Sequence, residues 1–227
     1  MFMKRMLFTF AVLFGVVLPG YTTTIAFWGF EPPNVPPTVV GPTITGLVPH
    51  FGSGVASGFH ASPLTTFSSG IGNGSAHSLT ANYCQIGDYY QFQVSTIGFS
   101  GLQFSLDQTG SYGGVTNATF AYSLDGISFT TVNNNVVLQP GVTWNSTTRN
   151  TACITSFDLS NLTQLDNQPD VYLRLSANLP PFANANGTWT IDNVSVSGIQ
   201  VPEPGSLVLL SGPVLVLLLR RRKTDRT

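Results

Sequence analysis

Chemistry in this chain of 227 residues would have to come from few side chains. The only two cysteines, Cys84 and Cys153, stand 69 positions apart. In an oxidising compartment they are expected to pair, and closing a loop of that length contributes on the order of 4 kcal/mol. A nucleophilic thiol is the alternative, but neither cysteine has a histidine close in sequence. His50, His60 and His77 are spaced beyond any compact zinc motif and are expected as solvated loop residues. Glycoside hydrolysis needs two carboxyl groups across a cleft. Asp107 with Asp125, or Asp158 with Asp166 and Asp170, are the nominees, although aspartates at turns commonly bond local backbone instead. No phosphate-cradling glycine loop, serine elbow or HExxH pattern occurs. With no catalytic constellation, the expectation is a protein that is not an enzyme and holds no cofactor.

Two further sets of residues bear on binding. In GTWTIDNVSVSG, Trp189 and Ile191 share one parity and Val194 and Val196 the other, so a bulge at Asp192-Asn193 is expected to restore the register. Asp192 would then either bond neighbouring backbone or act as a calcium-binding or ligand-orienting carboxylate, and calcium requires further oxygen ligands. Tyr89, Tyr112, Tyr172 and Trp144 are candidates for a platform on which sugar rings stack.

The elements that must position these residues are bounded by charge. Only 8% of the chain is charged, against roughly 25% in ordinary soluble proteins. Lys4 and Arg5 precede the first apolar run, and Arg220, Arg221, Arg222, Lys223 and Arg226 come after the last. Between 27 and 200, Arg149 and Arg174 face Glu31 and seven aspartates, two cations against eight acids, a formal charge of −6. A nucleic-acid partner is excluded, because nothing basic in that body can neutralise phosphates.

Lys4-Arg5 followed by Met6 to Leu18 has the order of a secretory signal peptide, assigned to 1–26 with cleavage after Ala26 and Gly20 as the second position. Ser206 to Leu219 contains no charge and is closed by the basic cluster Arg220, Arg221, Arg222 and Lys223, a stop-transfer arrangement. As a helix its fourteen residues reach only about 21 Å, short of the hydrocarbon layer. Before it, Val201-Pro202-Glu203-Pro204-Gly205 is held extended by its two prolines.

From 27 to 83 the chain is rich in Gly, Ser and Pro, and Pro32 to Ala81 is expected to form irregular loops ordered only by packing against the segments C-terminal to it. From 84 to 199 short alternating segments predict strands. Tyr90, Phe92 and Val94 should point one way, as should Leu102, Phe104 and Leu106. A hairpin turning at Asp125-Gly126 should aim Phe120, Tyr122, Ile127 and Phe129 at a core. The expected fold is all-β, an antiparallel β-sandwich of jelly-roll type, flanked by an N-terminal signal helix and a short C-terminal transmembrane helix.

VPEPG, the apolar segment and RRRK together resemble the PEP-CTERM sorting signal of exported bacterial proteins, over 200–223. The resemblance implies that Pro202, Glu203 and Pro204 are read by a membrane-embedded exosortase, a transpeptidase-like cysteine enzyme, and that the basic tail is discarded. Residues 84–198 also resemble an uncharacterised domain found upstream of such signals, in GDYYQFQV, LQFSLDQTG, YSLDGISF, FDLS and GTWTIDNVSVSG. The IDNVSV strand is similar to the last strand of many bacterial jelly-roll domains, including carbohydrate-binding ones. What the resemblance implies is an inner-membrane-tethered precursor that matures at the cell surface or in the extracellular matrix, with a structural or adhesive role among polysaccharides. A carbohydrate-binding module is the rival reading, and a secreted hydrolase the third.

Overall fold

Strands dominate the computed structural model, which describes residues 21–178 and 187–201. Among these residues the strands are, in chain order, β1 (Thr22–Trp28), β2 (Val39–Val40), β3 (Thr43–Leu47), β4 (Phe51–Gly52), β5 (Val55–Phe59), β6 (Thr66–Gly70), β7 (Ser78–Ala81), β8 (Tyr89–Val94), β9 (Phe99–Gly110), β10 (Asn117–Ser123), β11 (Thr130–Val137), β12 (Gln139–Pro140), β13 (Ile154–Asp158), β14 (Val171–Ala177) and β15 (Trp189–Gln200). They form two sheets. One runs β11-β10-β14-β8-β5-β3. The other has nine strands, ordered β12-β9-β15-β7-β6-β2, with β1 on β15, β4 on β1 and β13 on β9. All pairs are antiparallel except β12 with β9.

The sheets face one another across a single apolar core. Period-two patterning puts Tyr90, Phe92 and Val94 of β8 inside, and Leu102, Phe104 and Leu106 of β9 opposite, as expected. Aromatic rings bridge the two layers: Trp28 meets Phe92 at 5.3 Å, Tyr90 meets Trp189 at 4.8 Å, and Phe104 meets Phe120 at 5.3 Å between centroids. Each such side chain, fully buried, contributes about 1.5–3 kcal/mol of transfer free energy. The Tyr90 hydroxyl donates to the Trp189 carbonyl and the Trp28 indole N–H to the Leu47 carbonyl, so their polar tips are satisfied inside.

Three expectations need correction. Pro32 to Ala81 is not irregular: β2 to β7 lie in Val39–Ala81. Their order does come from later strands, since β5 pairs with β8 and β7 with β15. The β10–β11 hairpin is wider than a tight turn, with Asp125 accepting from the Ile127 and Ser128 N–H groups and Gly126 at φ +72°. That cap leaves Ile127 84% exposed and carries Phe129 to the outer face, while Phe120 stays buried and Tyr122 half-buried against the core. His60 is not solvated but fully buried, edge-on to Phe67 at 5.1 Å with Nδ1 3.2 Å from an Asp88 carboxylate oxygen. Burial pulls the His60 imidazole down to about 4, against the Asn82 carbonyl, and pushes the Asp88 carboxyl up.

Of the signal segment assigned to 1–26, residues 22–26 belong to β1 rather than to a helix, while residues 1–20, the triad Pro202, Glu203 and Pro204, the apolar run and the basic cluster Arg220 to Lys223 lie outside the described residues. Among the described residues no helix is long and apolar enough to cross a membrane.

Candidate functional site on the outer face of the six-stranded sheet

The same alternation that builds the core aims the other parity outward. In β8 these are Tyr89, Gln91 and Gln93, and in β14 Tyr172, Arg174 and Ser176, all half-exposed. Register aligns them into rungs across the strands. Ser123, Tyr172, Gln93 and Val55 form one rung; Ala121, Arg174, Gln91 and Ser57 the next; Thr119, Ser176, Tyr89 and Phe59 the third. Arg174 therefore stands mid-sheet, between Ala121 and Gln91 on its own rung.

Its guanidinium is immobilised on three sides. Cζ lies 4.0 Å from the Tyr89 ring centroid and 3.6 Å from that of Phe129. Nε and Nη2 both donate to Gln91 Oε1, at 2.9 and 2.6 Å. Phe59 stacks on the far side of Tyr89 at 5.5 Å and 27°. The result is a row of rings with a cation between two of them. Burial pulls the Arg174 guanidinium down from its ordinary value, with Tyr89 acting the other way. Beside it Gln93 Nε2 donates to Asp170 at 2.7 Å, fixing a second planar amide on the face.

Of the four aromatics nominated for sugar stacking, Tyr89 and Tyr172 share this face. Tyr112 does not: it is 84% exposed in the loop after β9, its ring against Gly141. Trp144 is buried beside Cys153. Phe59, Phe129, Gln91 and Arg174 were not nominated, although parity in YYQFQV and VYLRLSA already sets Gln91 and Arg174 outward.

The expected bulge is present: against β9, Asp192 pairs with Asp107 but Ser195 with Ser105, and Asn193 takes φ +49°. It lies where β15 exchanges β7 for β1 as its neighbour, so the bulge lets one strand serve two partners. Asp107 and Asp192 thus stand side by side on the outer face of the nine-stranded sheet, buried under loops 71–77 and 145–150. Arg149 clamps Asp107 with two bonds, Nε to Oδ2 at 2.7 Å and Nη2 to Oδ1 at 2.6 Å. Asn73 and Asn193 side-chain amides also donate to Asp107 Oδ2, each at 2.9 Å. Asp192 accepts from the Asn73 and Asn193 backbone N–H groups and from the Ser75 hydroxyl. Gly72 makes the loop's approach feasible, since a Cβ there would sit 2.2 Å from the His77 carbonyl oxygen and 2.6 Å from Asp192 Oδ2. Burial pushes the Asp192 carboxyl up to about 7, opposed by the Ser75, Asn73 and Asn193 donors and assisted by Asp107.

This arrangement does not fit calcium, which takes six to eight oxygens. Here N–H and O–H donors and a guanidinium surround both carboxylates, and among the described residues no three His, Cys, Asp or Glu side chains converge. Nor do the hydrolase nominees converge. Asp107 is held by Arg149, Asp125 caps the hairpin loop on the other sheet, Asp158 caps the Ser160 N–H, Asp166 the Gly101 N–H, and Asp170 holds Gln93.

The disulfide expectation is overturned. Cys84 and Cys153 are both buried free thiols in different surroundings. Cys84 Sγ points to the Ala81 carbonyl near Asp88, whereas Cys153 lies beside Trp144 near Asp107. Burial pushes both thiols up, which keeps them protonated and unreactive.

No protein-family model matches the chain, and no curated protein matches it. Among solved structures it is similar to the CBM22-1 xylan-binding domain of Xyn10C from Paenibacillus barcinonensis, at 9% identity and TM-score 0.45, covering 82% of this chain and 100% of that one. It is similar to the xylan-binding module CBM15 at 15% identity and TM-score 0.42, over 70% and 98% of the two chains. A Stig cyclase, Fisc from Fischerella sp. TAU, is similar at 13% identity and TM-score 0.39, over 79% and 100%.

Proposed function

We propose that this chain is an exported, non-catalytic surface or matrix protein whose β-sandwich, of jelly-roll type, contacts extracellular polysaccharide through the outer face of its six-stranded sheet. The observation that carries the reading is the fixed, half-exposed array of Tyr89, Gln91, Gln93, Tyr172 and Arg174 on adjacent rungs. Sugar rings present hydroxyl groups around an apolar face; the immobilised planar amides and the guanidinium match the hydroxyls, and the edges of the rings beside them offer apolar contact, at little ordering cost. The test is affinity electrophoresis of the detergent-solubilised full chain through gels loaded with individual polysaccharides. Wild type should be retarded by at least one polymer, and Tyr89→Ala and Tyr172→Ala should each weaken that retardation about tenfold. Equal retardation of all three would remove this face from the reading.

Export and sorting complete the proposal. The bilayer holds the precursor through residues 206–219, Pro202, Glu203 and Pro204 are read by an exosortase, and the tail from Arg220 is lost. Of the two signal-peptide positions we favour Gly20, because Ala26 is fully buried mid-strand in β1 and a cut after it would remove most of that strand. Mass spectrometry of the protein from its native host should find the basic tail missing in wild type and retained in Glu203→Ala. Unchanged processing in the variant rejects the role given to the triad.

A further inference from the structure

The body has two cations, and they differ in what they lack. Arg149 is saturated by Asp107. Arg174 has no carboxylate within ion-pair distance among the described residues, where the arginine–carboxylate pair is Arg149 with Asp107. Even the acid on its own face, Asp170, is engaged by Gln93 instead. A partly desolvated guanidinium with neutral neighbours is an incomplete arrangement, and an anion completes it.

Resting on the reading that this face contacts polysaccharide, we propose that Arg174 is an anion subsite, so that the polymer it takes is acidic and docks through a uronate carboxylate. Geometry selects that chemistry. Tyr89 and Phe129 cover the two faces of the guanidinium, so a ligand can approach only in its plane. Gln91 Oε1 occupies the Nε and Nη2 edge and fixes the rotation of the group, leaving the Nη1 side for an incoming acceptor. In-plane, paired acceptor oxygens are what a carboxylate offers. Along the rung Arg174 is flanked by the small Ala121 on one strand and by its own hydrogen-bond partner Gln91 on the other, with Ser57 beyond Gln91.

The experiment compares three polymers on the detergent-solubilised full chain by isothermal titration: polygalacturonate, the same polymer after chemical reduction of its carboxyls to the neutral galactan, and a sulfated galactan. Wild type should bind polygalacturonate about tenfold or more tighter than the reduced polymer. Arg174→Ala should abolish that preference, and Arg174→Lys, which keeps charge but not planarity, should restore less than half of it. Gln91→Glu places a carboxylate on Arg174 from within and should also erase the preference, which covers the case of a misfolded Arg174→Ala. Equal affinity for the reduced polymer, or a preference that survives Arg174→Ala and Gln91→Glu, overturns the subsite. Preference for the sulfated galactan alone overturns the carboxylate assignment. If a neutral glucan or xylan binds through Tyr89 while all three test polymers fail, the anion subsite falls and the polysaccharide reading stands. If no polysaccharide binds at all, that reading falls with it.

Discussion

On the outer face of the nine-stranded sheet, Arg149 lies over a buried carboxylate and helps seal two loops onto the strands, whereas on the outer face of the six-stranded sheet Arg174 lies between two rings and, among the described residues, meets no acid. One face is closed by its polar groups and the other is displayed by them. Cation–π stacking and a neutral amide hold a guanidinium in place without neutralising it. A carboxylate clamp does the reverse, consuming the charge to bury two acids that would otherwise be unstable together. In a body with only these two cations, placement rather than number divides a structural role from a contact role.

The contrast is broken most directly by removing each arginine in turn. Arg149→Ala leaves Asp107 and Asp192 buried side by side without a counter-charge, and uncompensated buried charges cost about 3–5 kcal/mol. Because the Arg149 side chain is 46% exposed, water can partly replace it, so the expected loss is about 2–3 kcal/mol, a fall in Tm of roughly 6–10 °C by calorimetry. Arg174→Ala removes only stacking, and should cost about 1 kcal/mol. Equal losses, or a larger one at 174, would mean that both faces use their cation structurally.

Much of this contrast is legible in the order of the residues, and the part that is not has a definite cause. Parity alone puts Tyr90, Phe92 and Leu173 inside and Arg174 outside, because the side-chain period of a strand is two. The parity break at Asp192-Asn193 likewise locates a real bulge. What escapes depends on partners far away in sequence. Asn73 reaches Asp107 and Asp192 across 34 and 119 positions, and nothing in its Gly-Ser neighbourhood marks it as buried. His60 and the strands of 39–81 escape for the same reason: short, weakly apolar segments become strands where distant ones offer an edge, as β8 does to β5 and β15 to β7. The cysteines show the limit of compartment arguments, since an oxidising environment permits a pairing that the fold does not provide. Phe129 turns outward, against its expected place in the core, because Asp125 binds two successive backbone N–H groups and widens a loop that composition alone describes as tight.

The closed face should also respond to pH in a way the open face does not. The Asp192 carboxyl is pushed by burial up to about 7 from its ordinary 3.8, so the folded state favours its protonated form relative to the unfolded chain. Its contribution to stability is therefore present below about pH 4 and is lost as the pH rises through about 7. His60 works in the opposite sense: pulled down to about 4 from 6.5, it supports the fold at neutral pH and withdraws support as the pH falls. Wild-type stability thus combines two opposed slopes between about pH 4 and 7. Asp192→Asn separates them, since it removes one titration and leaves His60 in both proteins. The variant should gain on wild type as the pH rises from about 4 to 8, by about 2–4 kcal/mol in denaturant midpoints converted to free energy. A difference that stays flat across that range would mean that the Ser75, Asn73 and Asn193 donors outweigh burial and keep Asp192 ionised throughout. The closed face would then be sealed by a permanent anion pair on one arginine, which makes Arg149 more decisive there, not less.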